Sequence, residues 1–185
     1  MMTTTRKLNY CSVRLIRNFT LNPGVLYDDW FLPSKNALIA IWTELVDHGV
    51  GNINPEPYWS STEDSATRAA SVEMINGGDA TNLKTISLFV RACRSFVAGI
   101  GAYALRDVGP AGGWIFYIDG AGTTYYEVAP ENQSMSHTWS NITNVAVTGT
   151  GTAIDTGQAN TTAIIGQAGH IDSAAKECDD YEITA

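Results

Sequence analysis

Cysteine is scarce. Cys11, Cys93 and Cys178 are the three thiols in 185 residues. They are too few and too scattered for a disulfide framework or a zinc cluster, so they read as buried free thiols. Long apolar runs are missing too. No stretch reaches the roughly 18 residues that a membrane-spanning helix needs, which argues against membrane insertion. Met1 to Lys7 is polar with no apolar core behind it and predicts no secretory signal. No phosphate-binding loop, Ser/His/Asp set or His-rich metal spacing is present, so the sequence assigns no catalytic residue, metal or cofactor.

Positive charge is almost absent from the second half. Ten of the eleven Lys and Arg precede residue 107, and only Lys176 follows. Nine of the nineteen Asp and Glu precede residue 107, and ten lie from there onward. The first part is therefore near +1 (10 − 9) and the second near −9 (1 − 10), which sums to the −8 of the chain. A nucleic-acid partner would need a basic footprint, so that class is set aside. An acidic, solubilising surface accounts for the imbalance.

What is present is a strand-rich pattern. Between Lys84 and Phe96, Ile86, Leu88, Val90 and Ala92 fall on one face and Ser87, Phe89, Arg91 and Cys93 on the other. This period of two predicts one long strand inside an antiparallel sheet. Val13, Arg14, Arg17 and Phe19 echo Val90, Arg91, Arg94 and Phe96, which predicts a related extra strand over 8–19. The arginines are expected to snorkel or to pair with carboxylates. Ser34 is the expected N-cap of a helix from Lys35 to Val46 ending near Gly49, with Leu38, Ile41, Trp42 and Leu45 on its buried face. His48 falls at the C-terminal end of that helix, where a structural role suits it.

Short strands are expected at Tyr58–Thr62 and Ala69–Asn76, with Asn76-Gly-Gly-Asp79 as a hairpin turn. Trp30 and Trp59 read as core. Residues 97–107 read as a small-residue linker, ordered only if Tyr103 or Leu105 docks. Trp114–Ile118 and Tyr125–Pro130 predict a hairpin across Gly120-Ala-Gly122. Glu131 to Thr156 has little beyond Trp139 to anchor it. Asn160 to Asp180 reads as one helix with Ile164, Ile165, Ala168, Ile171, Ala174, Ala175 and Cys178 buried, although Gly166 and Gly169 weaken it.

Several motifs taken together resemble a known family. Trp30-Phe-Leu-Pro-Ser-Lys35, Tyr58-Trp-Ser-Ser-Thr-Glu63 and Val90-Arg-Ala-Cys-Arg-Ser-Phe96 resemble the second half of the Lcl-C-terminal family. Gly109-Pro-Ala-Gly-Gly-Trp-Ile-Phe-Tyr-Ile118, Glu127-Val-Ala-Pro-Glu-Asn-Gln133 and Gly151-Thr-Ala-Ile-Asp-Thr-Gly157 resemble its first half. The family is a bacterial and phage group of C-type-lectin-like domains, related in fold to formylglycine-generating enzymes. The motif order here is reversed, as in a circular permutation.

The resemblance implies an α+β, C-type-lectin-like fold with antiparallel sheets and two helices, permuted or completed by a neighbouring chain. It divides the chain into an extra strand (1–19), the family's second half (20–96), a linker (97–107) and the family's first half (108–185). The related enzymes use a close pair of cysteines; Cys93 has no Cys within five positions, so the enzyme reading has no nucleophile. Calcium-dependent lectins use Glu-Pro-Asn and Trp-Asn-Asp motifs, of which Asn54-Pro-Glu-Pro57 is a poor echo. What remains is a scaffold that displays loops. Its expected ligand-binding residues are Glu63, Asp64 and Thr67, and Asn76, Asp79 and Asn82, against the plainer reading of solvated turns.

The functional expectation is a non-enzymatic phage virion surface protein: a capsid or tail decoration, fibre or adhesin that binds protein or glycan. The alternatives are a purely structural assembly protein and an oxidase-like enzyme of the same fold. Expected partners are other virion subunits, a host surface protein or glycan, and further copies of the chain, with a trimer favoured. The expected location is the virion surface, with the bacterial cell surface as alternative.

Overall fold

A computed structural model describes residues 24–185. The expected strand over 8–19 and Cys11 lie outside the described residues. The first strand, β1 (Leu26–Tyr27), pairs antiparallel with the last, β10 (Ile183–Thr184). Ser34 then caps α1 (Lys35–Glu44), its hydroxyl accepting from the Ala37 N–H at 3.2 Å. A 3-10 turn follows over Val46–His48, and Gly49 closes it with φ of 70°. His48 Nδ1 lies 3.1 Å from the Thr43 carbonyl oxygen, so it serves the helix end as expected.

The strands β2 (Pro57–Ser65), β3 (Arg68–Glu73) and β4 (Gly78–Leu83) form an antiparallel meander. The expected turn joins β3 to β4, and Gly77 lies so close to Trp42 that a Cβ would come within 2.4 Å of the ring. β2 runs past the expected Thr62 to Ser65, where Glu63 pairs with Ala69 and Ser65 with Arg68, and the small polar side chains of Ser60, Ser61 and Thr62 within it all find partners. Ser60 Oγ donates to the Ala70 carbonyl at 2.8 Å, Thr62 Oγ1 to that of Gly151 at 2.8 Å, and Ser61 Oγ accepts from Asn160 Nδ2 at 3.0 Å. Each pair satisfies a buried group that would otherwise oppose folding.

The single strand expected over 84–96 is two strands in two sheets, β5 (Ser87–Val90) and β6 (Cys93–Val97). Arg91 breaks it. Its guanidinium is buried rather than snorkelled, and donates to the carbonyls of Ala129 (2.7 Å), Gly51 (2.9 Å) and Asn52 (3.3 Å). Those three acceptors lie off the sheet, so the chain turns there. Ile86, assigned to the buried face, is exposed.

The hairpin β7 (Trp114–Ile118) and β8 (Thr124–Val128) forms as expected, and β8 lies between β6 and β7. A further strand, β9 (Ser134–Thr138), pairs with β5 and completes a five-stranded sheet in the order β4-β3-β2-β5-β9. β2 and β5 run parallel, so this sheet is mixed rather than purely antiparallel.

The long helix expected over 160–180 is also two elements, α2 (Gly157–Ile165) and α3 (Ala174–Asp179), making three helices among the described residues where two are expected. Ile164, Ala174, Ala175 and Cys178 are buried as the stripe requires, but Ala168 and Ile171 are exposed. α2 stops at its C-cap Gly166, Gly169 takes φ of 83° in the turn that follows so the helix does not resume there, and Ser173 starts α3 by capping the Lys176 N–H at 3.0 Å.

The architecture is α+β in layers. Tyr58 and Trp59 point to opposite faces of β2, as period two demands. Trp59, Leu88, Val90 and Trp139 pack with Ile164 and Cys178 of α2 and α3. Tyr58 and Val72 pack with Leu38 and Ile41 of α1, and Phe116, Tyr126 and Val128 of the three-stranded sheet close over them. Both faces of the larger sheet are therefore covered, which is why β5 carries bulk on both. The linker is ordered because Tyr103 docks against Phe96 and Tyr125, with ring centroids 5.4 and 5.5 Å away. Within this chain, β8 pairs with β6 and β9 with β5, so residues 108–185 pack on residues 24–97.

Buried charges tie distant segments together. Arg94 meets Asp29 (2.6 and 2.9 Å) and Glu127 (3.2 Å). Glu127 Oε1 also accepts from the N–H groups of Gly113 (2.7 Å) and Ala111 (3.1 Å). Burial pushes the Glu127 carboxyl up, while those N–H groups and Arg94 pull it back. All its partners are donors, so the group sits here as the ionised acceptor. Lys84 pairs with Glu63 in the same buried way and lies 4.6 Å over the Trp139 ring.

The Gly-Pro-Ala-Gly-Gly turn exists to let the backbone reach Glu127. A Cβ on Gly113 would stand 1.9 Å from the Val128 carbonyl oxygen, whereas one on Gly99 meets nothing within 4 Å. Gly113→Ala is expected to cost about 3 kcal/mol or more, and Gly99→Ala to stay within about 0.5 kcal/mol. Urea unfolding of the two variants checks this; equal effects would contradict the close approach.

Candidate functional site

A groove of about 530 Å³ opens where α1, the β7–β8 hairpin and the 3-10 turn before α2 meet. Asn36 comes from the first turn of α1, Tyr117 from β7, Thr124 and Tyr126 from β8, Asp119 from the end of the hairpin strand, and Asp155 from the turn. The Asn36 N–H donates to the Thr152 carbonyl at 3.1 Å and holds the two walls together.

A β-bulge aims the tyrosine. Ile115 pairs with Glu127 and Tyr117 with Tyr126, so Phe116 is the extra residue. In an unbroken strand Phe116 and Tyr117 would point to opposite faces. With the bulge, Phe116 enters the core beneath α1 and Tyr117 stays half-buried at the groove wall. The Tyr117 and Tyr126 rings meet edge to face at 5.5 Å, and Phe116 supports Tyr126 at 6.1 Å. Neither groove hydroxyl is hydrogen-bonded by another of the described residues. Burial pushes the Tyr126 phenol up, and Asp155 adds to this, so it remains a neutral donor.

Asp119 is held in place by its own turn. Its Oδ1 accepts from the N–H groups of Thr123 (2.8 Å) and Thr124 (3.0 Å). The Thr124 bond first, then the Thr123 bond, pulls its carboxyl below the usual range. A carboxyl held low is a poor general acid near neutrality. The lining offers phenols, an amide, a hydroxyl and carboxylates, and no thiol, imidazole or ammonium. Such a set can stack against a ring face and hydrogen-bond to hydroxyl groups. An apolar extension of about 440 Å³ runs on along α1 past Ile39, Ala40 and Thr43 to Leu105.

The loop residues singled out from sequence do not gather here; none of the six lines the groove. Asp64, Thr67 and Asn82 lie at one end of the β2-β3-β4 meander, and Asn76 and Asp79 at the other. Glu63 is not a free loop side chain: its two oxygens accept from the Val147 N–H at 2.9 Å each and from Lys84. Asn82 Nδ2 donates to Ser71 Oγ at 2.8 Å, Asn76 Oδ1 accepts from Gly78 at 2.8 Å, and Asp79 pairs with Lys35 at 3.0 Å. Asp64 and Thr67 stay exposed. Sequence reasoning missed the groove because Trp114–Ile118 reads as a plain apolar strand; the polar-tipped aromatics Tyr117 and Tyr126 were its only signal.

One group of metal-type ligands occurs among the described residues, His137, Asp172 and Glu177, on elements that do not line the groove. No family model, curated protein or solved structure matches the chain.

Asp119 makes the acid behaviour testable. Its folded pKa is depressed, so its contribution is fully present above an unfolded value of about 4 and is lost as pH falls through the folded value. Asp119→Asn keeps an acceptor and removes the titration. Its melting temperature is expected to fall less steeply than that of the native chain below about pH 4; parallel curves would contradict the assignment.

Proposed function

We propose that the chain is a non-enzymatic surface protein of a phage particle, whose C-type-lectin-like domain presents the Tyr117–Tyr126 groove to a glycan. The observation that carries this reading is the bulge-aimed pair of tyrosines with unengaged hydroxyls, flanked by Asp119, Asp155 and Asn36. Sugars offer C–H faces to aromatic rings and hydroxyls to carboxylates and amides, and this lining supplies both. The motif resemblance supports the phage context and the lectin-like fold. The described thiols support the non-enzymatic reading: burial pushes both Cys93 and Cys178 well up, so neither is a ready thiolate nucleophile.

The permuted order is supported by two adjacencies. Val25 and Ala185 exchange backbone hydrogen bonds at 2.9 and 3.1 Å, so little chain would be needed to join them. β6 and β7 flank the same strand, β8, and 98–113 bridges them over it. A second reading, a subunit whose surfaces serve assembly only, is favoured by Val97 at the end of β6 and Ile100 in that bridge, which are 80% and 81% exposed.

A glycan array and isolated host envelopes test the first reading. Binding is expected, and Tyr117→Ala should weaken it about tenfold, since an aromatic contact is worth about 0.5–1.5 kcal/mol beyond its buried area. No binding to any glycan or envelope, or binding untouched by both Tyr117→Ala and Asp155→Asn, would sink it.

A further inference from the structure

His137, Asp172 and Glu177 are brought together from two segments of the fold. His137 lies on β9, where it pairs in register with Leu88 of β5. Asp172 directly precedes the Ser173 cap of α3, and Glu177 lies one turn into that helix. His137 Nε2 is 3.5 Å from Asp172 Oδ1 and 3.6 Å from Glu177 Oε1. One ligand atom from each residue lies within 4.8 Å of the other two.

These spacings are close to those of a small tetrahedral ion. Metal–ligand bonds of about 2.0–2.1 Å set the ligand atoms of a tetrahedron about 3.3–3.4 Å apart. The two imidazole–carboxylate distances already approach that value, and rotation of the exposed carboxylates would close the third. Asp172 and Glu177 have side chains 58% and 40% exposed, while that of His137 is 14% exposed. The less exposed imidazole is thus the more fixed ligand and the carboxylates are the adjustable ones.

The outer contacts are those a ligating histidine needs. His137 Nδ1 lies 2.7 Å from the Thr138 carbonyl oxygen. That oxygen can only accept, so Nδ1 carries the proton and the Nε2 lone pair faces the carboxylates in the neutral ring. The backbone around Asp172 is held too: Asn141 Oδ1 accepts from the N–H groups of Ile171 (2.9 Å) and Asp172 (3.2 Å), and the Asn141 N–H donates to the Asp172 carbonyl (2.9 Å). Lys176, the one cation of the second half, is turned toward Asp180 at 2.6 Å and leaves the pair of carboxylates uncompensated from that side.

We propose that His137, Asp172 and Glu177 form a binding site for a zinc-class divalent transition metal, with a fourth position left to water. Imidazole selects this class over calcium and magnesium, which prefer all-oxygen cages with more ligands. The ion would tie α3 to β9, and so to the larger sheet. The proposal is independent of the groove: neither Asp172, Glu177 nor His137 lines it.

Isothermal titration of the tag-free, chelator-stripped full chain with zinc chloride tests it, with calcium and magnesium chloride as comparisons. Zinc is expected to bind one per chain, and to raise the melting temperature in a concentration-dependent way. Glu177→Gln and Asp172→Asn, surface substitutions that leave the fold's interior untouched, should each weaken binding about tenfold or more, as should His137→Asn. Circular dichroism of each variant confirms that it is folded. Absence of saturable zinc binding, binding unchanged in the Glu177 and Asp172 variants, or binding of calcium in preference to zinc would each overturn the proposal. The competing arrangement, a protonated imidazole paired with two carboxylates, predicts the first of these.

Discussion

The contact on which most of the structure depends is the buried meeting of Arg94 with Glu127. Arg94 is on β6 and Glu127 opposite it on β8, in direct register. Asp29 approaches the same guanidinium from the start of the described chain, and the rings of Tyr27 (4.7 Å) and Phe96 (5.2 Å) pack against it. On its other side Glu127 collects the backbone of the Gly109–Gly113 turn. Removing both charges in favour of apolar groups need not destabilise a fold, but removing one leaves the other stranded at a cost of about 3–5 kcal/mol. The pair therefore acts on arrangement: it admits one register of β6 on β8 and one path for the turn.

Lys84 with Glu63, and Arg91 with its three carbonyls, repeat the device in other places. Each buried cation sits where a chain leaves a sheet, and each takes partners from segments far away in sequence. Glu63 holds the Val147 region, and Arg91 holds the loop at Gly51 and the one at Ala129. The frame around the groove follows from this. β8 is fixed by Glu127, the bulge in β7 is measured against that fixed strand, and Tyr117 is presented as a result. The groove is in this sense a by-product of charges buried on the opposite side of the same strand.

Much of the fold was legible because local rules decided it. Ser34 with the Leu38–Ile41–Leu45 spacing specifies α1, and Asn76-Gly-Gly-Asp79 and Gly120-Ala-Gly122 specify two turns. Period two alone could not show that the strand would break at Arg91, since alternation continues through Ala92 and Cys93 while the guanidinium seeks carbonyls contributed from elsewhere. Likewise the helical stripe ran on through Ile171, because apolar spacing does not register the left-handed turn that Gly169 takes. The site was less legible still. Glu63 looks like a loop carboxylate until Lys84 is brought to it, and Tyr117 looks like core until a bulge turns it. His137, Asp172 and Glu177 share no motif, and only the packing of α3 on β9 assembles them.

A double-mutant cycle on Arg94→Met and Glu127→Gln, followed by urea unfolding, tests the central claim most directly. Each single variant should lose about 3–5 kcal/mol, and the double variant should lose far less than the sum, with a coupling of about 2 kcal/mol or more. Losses that simply add, or single variants within about 0.5 kcal/mol of the native chain, would show that the fold does not depend on this buried pair.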